Sequence, residues 1–413
     1  MTNCFAMIRQ LFEASDSGKK LYIRCAGARG RQLCYELRNA GIKIEAFLDS
    51  NCSESDFMGI PVLPPETICS KVKGDYFILI AIEKDSIYYS IVNEYKQQGL
   101  QIGEDYGDFS FAEDMGRRMY DYSNILPNND FYNRFYSIAN DRKQEMSNLF
   151  PEYVQEVPRE FNLIPNLDLP LTMFCSMSCE YCSHCIPLAN PPRHFKVEDV
   201  IDDLDNLLSV SFVECLAIMG GEPFVYPQIT EFVKEYRNLK NRANIGFTRV
   251  VTNGTILPSK EFFTEYSRLE NAYIYISNYG EKSKKINEIQ ERADEYGVKT
   301  YLCPYTSEWV YLGNHNYKRN YGKKELEHLY AVCDSHSCVQ LLDGHLYSCG
   351  RVPVLNEDGI IPYSDTDFCS VRDKNPEELK KKLHEYLYMK PYLEGCRYCD
   401  GQHMYSQKVA RGE

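Results

Sequence analysis

Between residues 20 and 103, short apolar runs rich in β-formers alternate with polar stretches of helical period: Leu21–Cys25, Gly30–Ala40, Ile44–Leu48, Tyr76–Ile82 and Tyr88–Gln98. This is the βαβ pattern of a doubly wound parallel sheet, and it predicts a first domain over residues 1–112. From Gly103 to about Pro165 the period is helical and aromatic-rich, with a turn signal at Pro127-Asn128-Asn129, which predicts a helical linker over 113–162. A second βα series follows, with strands expected at Leu167–Phe174, Ala217–Met219, Arg249–Thr252, Ala272–Ser277 and Val298–Leu302. Helical patterns at Val197–Leu208, Gln228–Leu239, Lys260–Leu269 and Lys285–Tyr296 separate them, so residues 163–310 read as a partial or full parallel (β/α) barrel. Residues 311–413 read as irregular and cysteine-rich, with one hairpin signal at Asp343-Gly344. The expected fold class is α/β.

Composition then narrows the function. At 413 residues the chain has room for roughly two to four domains and a sizeable core. Its 46 basic and 59 acidic residues leave a net charge of −13, which argues against a nucleic-acid partner. The longest clean apolar stretch, near Tyr76–Ile82, falls far short of the roughly 20 residues of a membrane span. Met1–Gln10 lacks a basic region followed by an apolar core, so a cytoplasmic protein without a membrane span is expected. Seventeen cysteines are many for a reducing compartment, where thiols serve metals or catalysis more than disulfides.

Cys175, Cys179 and Cys182 have three and two residues between neighbours, directly after a predicted strand. Three thiolates on one loop can hold three irons of a cubane cluster and leave the fourth open, whereas a structural zinc usually takes four closed ligands. The run Cys175-Ser176-Met177-Ser178-Cys179-Glu180-Tyr181-Cys182 resembles the C-x3-C-x2-C signature of the radical S-adenosylmethionine (radical SAM) enzymes. Gly220-Gly221-Glu222-Pro223 resembles that family's GGEP motif, and Asn253, Ser277 and Asn278 resemble its polar strand ends. The resemblance implies a radical SAM 4Fe-4S cluster and S-adenosylmethionine bound by Tyr181, Gly220, Gly221, Glu222, Pro223, Asn253, Ser277 and Asn278. In that scheme the Gly-Gly-Glu backbone and carboxylate receive the methionine amino group, and a 5′-deoxyadenosyl radical takes a hydrogen atom from substrate. The residue types suit these tasks, since glycines admit close backbone approach and a carboxylate suits an ammonium.

A second set, Cys333, Gly344 and Cys349 followed by Cys396 and Cys399, has intervals of ten, four, 46 and two residues. It resembles the C-x9–15-G-x4-C plus C-x2-C arrangement of the Twitch domain, the shortened relative of the SPASM domain. The resemblance implies a second, auxiliary 4Fe-4S cluster, with Cys338 as an alternative to Cys333; a four-cysteine zinc site is the competing reading. A cluster with all four sites filled suits electron transfer, which points to oxidation.

In the first domain Cys25-Ala26-Gly27-Ala28-Arg29-Gly30 follows a strand and opens a helix, and Asp49 ends the next strand. This resembles a Rossmann fingerprint with Cys25 in place of the first glycine, and with Gly27, Gly30 and Asp49 as candidate nucleotide contacts. The stretch through Phe47-Leu48-Asp49-Ser50-Asn51 and Gly59-Ile60-Pro61-Val62 resembles modules of sugar-nucleotide and polysaccharide-building enzymes; nucleotide binding and a scaffold role both remain open. Elsewhere, Cys303 is a candidate hydrogen-atom donor, His184 and Cys185 are candidate mouth residues, and His336, His345 and Arg351 are candidates for removing a hydroxyl proton or holding a phosphate.

Together these features predict a radical SAM oxidoreductase acting on a small-molecule sugar, polyol or nucleotide-sugar substrate. An external electron donor such as flavodoxin or ferredoxin is expected. The alternatives are a redox-neutral sugar epimerase or dehydratase, a peptide-modifying maturase and a non-enzymatic zinc scaffold.

Overall fold

The computed structural model describes residues 17–108 and 161–412, apart from 40–41, 52–53, 58, 83–84, 334, 336–337, 374 and 403–406, together with Leu11, Ala14, Ser15 and Leu149. The expected linker, with its turn at Pro127-Asn128-Asn129, lies outside the described residues but for Leu149 and its last two positions. Among the described residues no helix is long and apolar enough to cross a membrane.

The first sheet contains β1 (Lys20–Arg24), β2 (Ile44–Leu48), β3 (Asp56–Phe57), β4 (Ile60–Leu63), β5 (Tyr76–Ile80) and β6 (Tyr106–Asp108), in the order β3-β4-β2-β1-β5-β6. All its pairings are parallel except the β3–β4 hairpin. Helix α1 (Ala28–Asn39) follows β1, and α2 (Asp85–Gln97) follows β5. Strand β5, Tyr-Phe-Ile-Leu-Ile, is buried at every position, as a central parallel strand must be. The chain runs outward from β1 through β2 to β4 and returns to β5 on the other side of β1, so the loop after β1 opens where the strand order reverses. There Cys25 adopts a left-handed φ of 82°, a conformation that costs a glycine little. Gly30 is required sterically, since a Cβ on it would lie 2.0 Å from the Cys25 carbonyl oxygen.

The second sheet has the order β11-β10-β9-β8-β7-β13-β14-β15. Strands β7 (Asn162–Pro170), β8 (Ser211–Met219), β9 (Ile245–Thr252), β10 (Ala272–Ile276) and β11 (Lys299–Leu302) run parallel. Helices α3 (Val197–Leu208), α4 (Ile229–Arg237), α5 (Lys260–Tyr266) and α6 (Ile286–Glu295) alternate with them. Their apolar faces, including Leu204, Leu207, Phe232, Val233, Phe262, Phe263 and Ile289, bury against the sheet. The sheet is open, which is the partial form of the two barrel readings.

The cysteine-rich stretch is more ordered than its sequence suggests. β12 (Glu308–Val310) pairs antiparallel with β16 (Lys408–Ala410), and β13 (Val339–Leu342) adds to β7 in parallel. β14 (His345–Tyr347) and β15 (Cys369–Ser370) continue that edge antiparallel. Helices α7 (Lys323–Val332), α8 (Val352–Glu357) and α9 (Pro376–His384) lie between these strands in sequence. Strands of two to four residues are too short for alternation to show in sequence. The hairpin expected at Asp343-Gly344 is present, with φ of 48° and 77° at its two turn residues. β8 begins six residues before its expected start because its near-continuous burial hides any alternating signal.

The steric contrast in the first loop is testable. Gly30→Ala should destabilise the first sheet by about 1–3 kcal/mol through overpacking. Gly27→Ala, whose Cβ would meet nothing within 4 Å, should be neutral to about 0.5 kcal/mol. Hydrogen exchange of the β1 and β5 amides reads both; equal protection in the two variants would contradict the packing assigned to Gly30.

Candidate functional site

The carboxyl ends of β7 to β10 open on one side of the second sheet, where ligands of parallel βα folds bind. The loop after β7 and the loop after β8 lie in close contact. Gly221 N–H donates to the Thr172 carbonyl at 2.9 Å, and Glu222 N–H to the Phe174 carbonyl at 3.0 Å. A Cβ on Gly220 would lie 2.5 Å from the Thr172 oxygen, and one on Gly221 would lie 2.2 Å from the Phe174 oxygen and 2.7 Å from the Cys175 Cβ. Both glycines are therefore needed for the Gly-Gly-Glu loop to lie against the start of the cysteine loop.

Glu222 is fully buried and is not among the residues that line the cavity. Its carboxylate accepts from Thr252 Oγ1 at 2.8 Å, Asn253 N–H at 2.7 Å and Phe224 N–H at 3.2 Å. Burial pushes its pKa up to about 7 against these three donors. The carboxylate thus fixes the end of β9. Asn253 Nδ2 in turn donates to Ser176 Oγ at 3.0 Å and lies 3.8 Å from Cys175 Sγ, so the β9 end reaches the cysteine loop.

A cavity of about 260 Å³ sits at this mouth, lined by Cys175, Cys179, Cys182, Gly220, Gly221, Asn253 and Ser277 among others. Most of the predicted first site is therefore brought together. Pro223 is buried in the turn after the glycines, and the Asn278 side chain accepts from Gly280 N–H, so neither lines the cavity. Tyr181 lines a neighbouring cavity of about 410 Å³, together with Ser183, Thr306, Glu308, Trp309, Val310, Gln402 and Lys408. His184 lines the first cavity and approaches buried Asp168 at 3.4 Å, while Cys303 lines neither cavity. Met177, Trp309 and Arg411 also line the first cavity and were not anticipated. The pairing of β12 with β16 brings Trp309 and Arg411 there, and being the only tryptophan was the one local signal.

The thiols of Cys175, Cys179 and Cys182 interact electrostatically, and burial raises all three, Cys179 to about 11. Met177 N–H donates to Cys175 Sγ at 3.4 Å, the kind of contact that holds a ligating sulfur, and Cys185 N–H donates to the Cys182 carbonyl at 3.0 Å. Cys333, Cys349, Cys396 and Cys399 lie within electrostatic reach of one another, and burial raises Cys333, Cys349 and Cys396. Cys399 Sγ donates to the Leu312 carbonyl at 3.1 Å, while Gln402 N–H donates to Cys333 Sγ at 3.2 Å. Cys338 lies within electrostatic reach of Asp168, Cys349 and Arg249, whereas Cys333 lies within reach of both Cys399 and Cys349. Cys185, with a left-handed φ of 56°, lies within electrostatic reach of Cys182, Cys349 and Cys399 and so stands between the sets. His345 instead pairs with Glu357 at 2.8 Å and stacks on Phe368, and His336 lies outside the described residues. In the first sheet, Asp49 accepts from Ala26 N–H at 2.7 Å and Asn51 N–H at 2.8 Å, Gly27 is exposed and Gly30 is buried.

A three-thiol loop, a glycine-lined cavity and polar strand ends stand together at the mouth of a partial barrel. Residues 169–280 match the model of the Radical SAM superfamily, and the chain carries a radical SAM domain, a class that binds S-adenosylmethionine and a 4Fe-4S cluster. Molybdenum cofactor biosynthesis protein 1 of Bos taurus is 30% identical over 90 residues, 21% of this chain and 14% of that protein. The chain therefore spans a small part of the curated relative it matches. The structure titled "Native anSMEcpe with bound AdoMet" aligns with a TM-score of 0.37 and 15% identity, over 54% of this chain and 83% of that one. The structure titled "Crystal structure of BtrN in complex with AdoMet and 2-DOIA" aligns with a TM-score of 0.36 and 14% identity, over 60% and 100%.

The buried carboxylate makes stability depend on pH with a defined sign. Its folded pKa of about 7 lies above the ordinary carboxyl value of 4.5, so its contribution is most favourable below 4.5 and is lost as pH rises towards 7. Glu222→Gln should remove that component, so the difference in thermal midpoint between variant and parent should drift with pH between about 4.5 and 7 and level off above. A difference that stays flat across this window would contradict the burial assigned to Glu222.

Proposed function

We propose that this chain is a radical SAM oxidoreductase that oxidises a carbon of a sugar, polyol or nucleotide-linked sugar. The observation that carries this reading is the mutual electrostatic reach of Cys333, Cys349, Cys396 and Cys399, the first two buried and the last two half-buried. When bound, the first cluster with S-adenosylmethionine supplies a carbon radical that takes a hydrogen atom, and a second cluster supplies a one-electron acceptor.

The chain's own residues position and enclose these groups. Cys175, Cys179 and Cys182 are the ligands of the first cluster, and the backbone of Gly220 and Gly221 with Asn253 and Ser277 holds the cofactor. Because the Glu222 carboxylate is occupied by three donors, the cofactor's amino group is left to the backbone around the glycines. The second cavity shares Ser183 and Trp309 with the first, which makes it a suitable seat for substrate. Its aromatic Tyr181 and Trp309 with polar Glu308, Gln402 and Lys408 suit a polyhydroxylated molecule. An external one-electron donor would supply the electron that a cluster on Cys175, Cys179 and Cys182 needs. Gly27, Gly30 and Asp49 form the loop at which the first domain would take a nucleotide, with Asp49 already holding that loop. Cys303 stands outside both cavities, which favours oxidation over an epimerisation that returns hydrogen from that thiol.

Loss of a hydrogen atom, then of an electron and a proton, leaves a product two mass units lighter than substrate. Anaerobic incubation with a panel of polyols and nucleotide sugars should yield that product, and deuterium at the reacting carbon should appear in 5′-deoxyadenosine. A product of unchanged mass carrying solvent deuterium would overturn the oxidative reading. The two cysteine sets should also separate: Cys175→Ala, Cys179→Ala or Cys182→Ala abolishes 5′-deoxyadenosine formation. Cys333→Ala or Cys396→Ala should leave cofactor cleavage partly intact while product formation stops. Full turnover in either second-set variant, read by product mass, would contradict the role given to that set.

A further inference from the structure

Arg351 lies two residues after Cys349, at the start of α8, and is only 8% exposed. Its Nη2 donates to the Gly313 carbonyl at 2.8 Å, and its buried Nε has no hydrogen-bond partner. Among the described residues no carboxylate lies within ion-pair distance of it. A buried guanidinium without a counter-charge is costly, so its retention calls for a negative group nearby. Two consecutive carbonyls fix where it sits: Leu312 accepts from Cys399 Sγ at 3.1 Å, and Gly313 accepts from Arg351. The guanidinium is thereby held beside the second cysteine set, with Cys185, Cys399 and Cys349 within electrostatic reach.

The surroundings narrow the choice of counter-charge. Arg319, also 8% exposed, lies next to Arg351 and adds positive charge. Its Nε is answered by Asp400 at 2.7 Å, while its Nη2 is buried without a partner. Gly313 has no room for a side chain, since a Cβ there would lie 2.0 Å from Asp400 Oδ2 and 2.3 Å from Arg319 Nη2. The carboxylate beside these guanidiniums pairs with Arg319, and Arg351 has thiols in reach instead. Neutral thiols do not compensate a cation, whereas an iron–sulfur cluster held by four thiolates carries net negative charge.

We infer that Arg351 is the electrostatic partner of an auxiliary cluster on Cys333, Cys349, Cys396 and Cys399, and that its charge makes that cluster easier to reduce. The inference rests on the second-cluster reading above. Net charge and hydrogen bonding at the sulfurs are among the terms that set iron–sulfur potentials. A fixed cation in a dry site stabilises the added electron, which is what an acceptor of substrate electrons requires. Cys182 is also within reach of Arg351, so the guanidinium lies on the side of the second set that faces the first.

The experiment uses the full chain carrying Cys175→Ala, Cys179→Ala and Cys182→Ala, so that only the second set can bind iron, with an EPR-monitored redox titration and an iron assay. Arg351→Gln keeps a donor for the Gly313 carbonyl and removes the charge, while Arg351→Lys keeps the charge. With Arg351 intact the chain should hold about four irons. Arg351→Gln should shift the reduction equilibrium at least tenfold against the reduced form, about 59 mV for one electron, and Arg351→Lys should recover most of that shift. Iron uptake by Arg351→Lys but not by Arg351→Gln would also support the inference, as a charge requirement at assembly. An unchanged potential in iron-loaded Arg351→Gln would overturn it, and so would failure of both variants to take up iron. No iron in the chain with Arg351 intact would instead remove the second cluster itself, and the inference with it.

Discussion

The two oxygens of Glu222 accept three hydrogen bonds with no exposure to solvent, and the arrangement of the whole mouth depends on that contact. Strand β8 delivers the carboxylate, and β9 delivers two of its donors through Thr252 and Asn253. Without it two buried donors at the β9 end would be unsatisfied, which costs about 1–3 kcal/mol each. Asn253 then carries the constraint to Ser176, and the absence of side chains at Gly220 and Gly221 lets the β7 and β8 loops close on each other. A buried anion, two glycines and one amide thus set where three cysteines stand.

A second constraint is electrostatic and links parts of the chain distant in sequence. The open sheet does not end at β7, because β13 adds to it in parallel and leads through β14 to Cys349. The Cys396–Cys399 turn is held by Asp367, whose carboxylate accepts from Glu394 N–H at 2.6 Å and Gly395 N–H at 2.7 Å. These elements bring the second cysteine set to the same side as the first, with Cys185 and Arg351 between them.

The parts legible in the sequence were those encoded locally. Cys175, Cys179 and Cys182 share one loop, and Gly220 to Pro223 follow one strand, so each is a local run whose resemblance to a family motif could be read. The turn at Asp343-Gly344 was legible for the same reason, since its conformation is decided by two residues. What the sequence did not show was direction and long-range pairing. A glutamate beside two glycines reads as a cofactor contact, yet its side chain turns inward to Thr252 and Asn253. Tyr181, Pro223 and Asn278 belong to the same motifs but do not line the first cavity, because neighbours in sequence need not share a face. Trp309 and Arg411 reach the cavity only through the β12–β16 pairing, and strands of three residues leave no periodic trace.

The central claim is that one chain holds two separate iron–sulfur sites. Its most direct measurement is the iron and sulfide content of anaerobically reconstituted protein, compared between the parent chain and variants emptied of one cysteine set at a time. The account predicts about eight irons per chain, falling to about four when either set is replaced by alanine. About four irons in the parent, unchanged when Cys333, Cys349, Cys396 and Cys399 are all replaced, would contradict it.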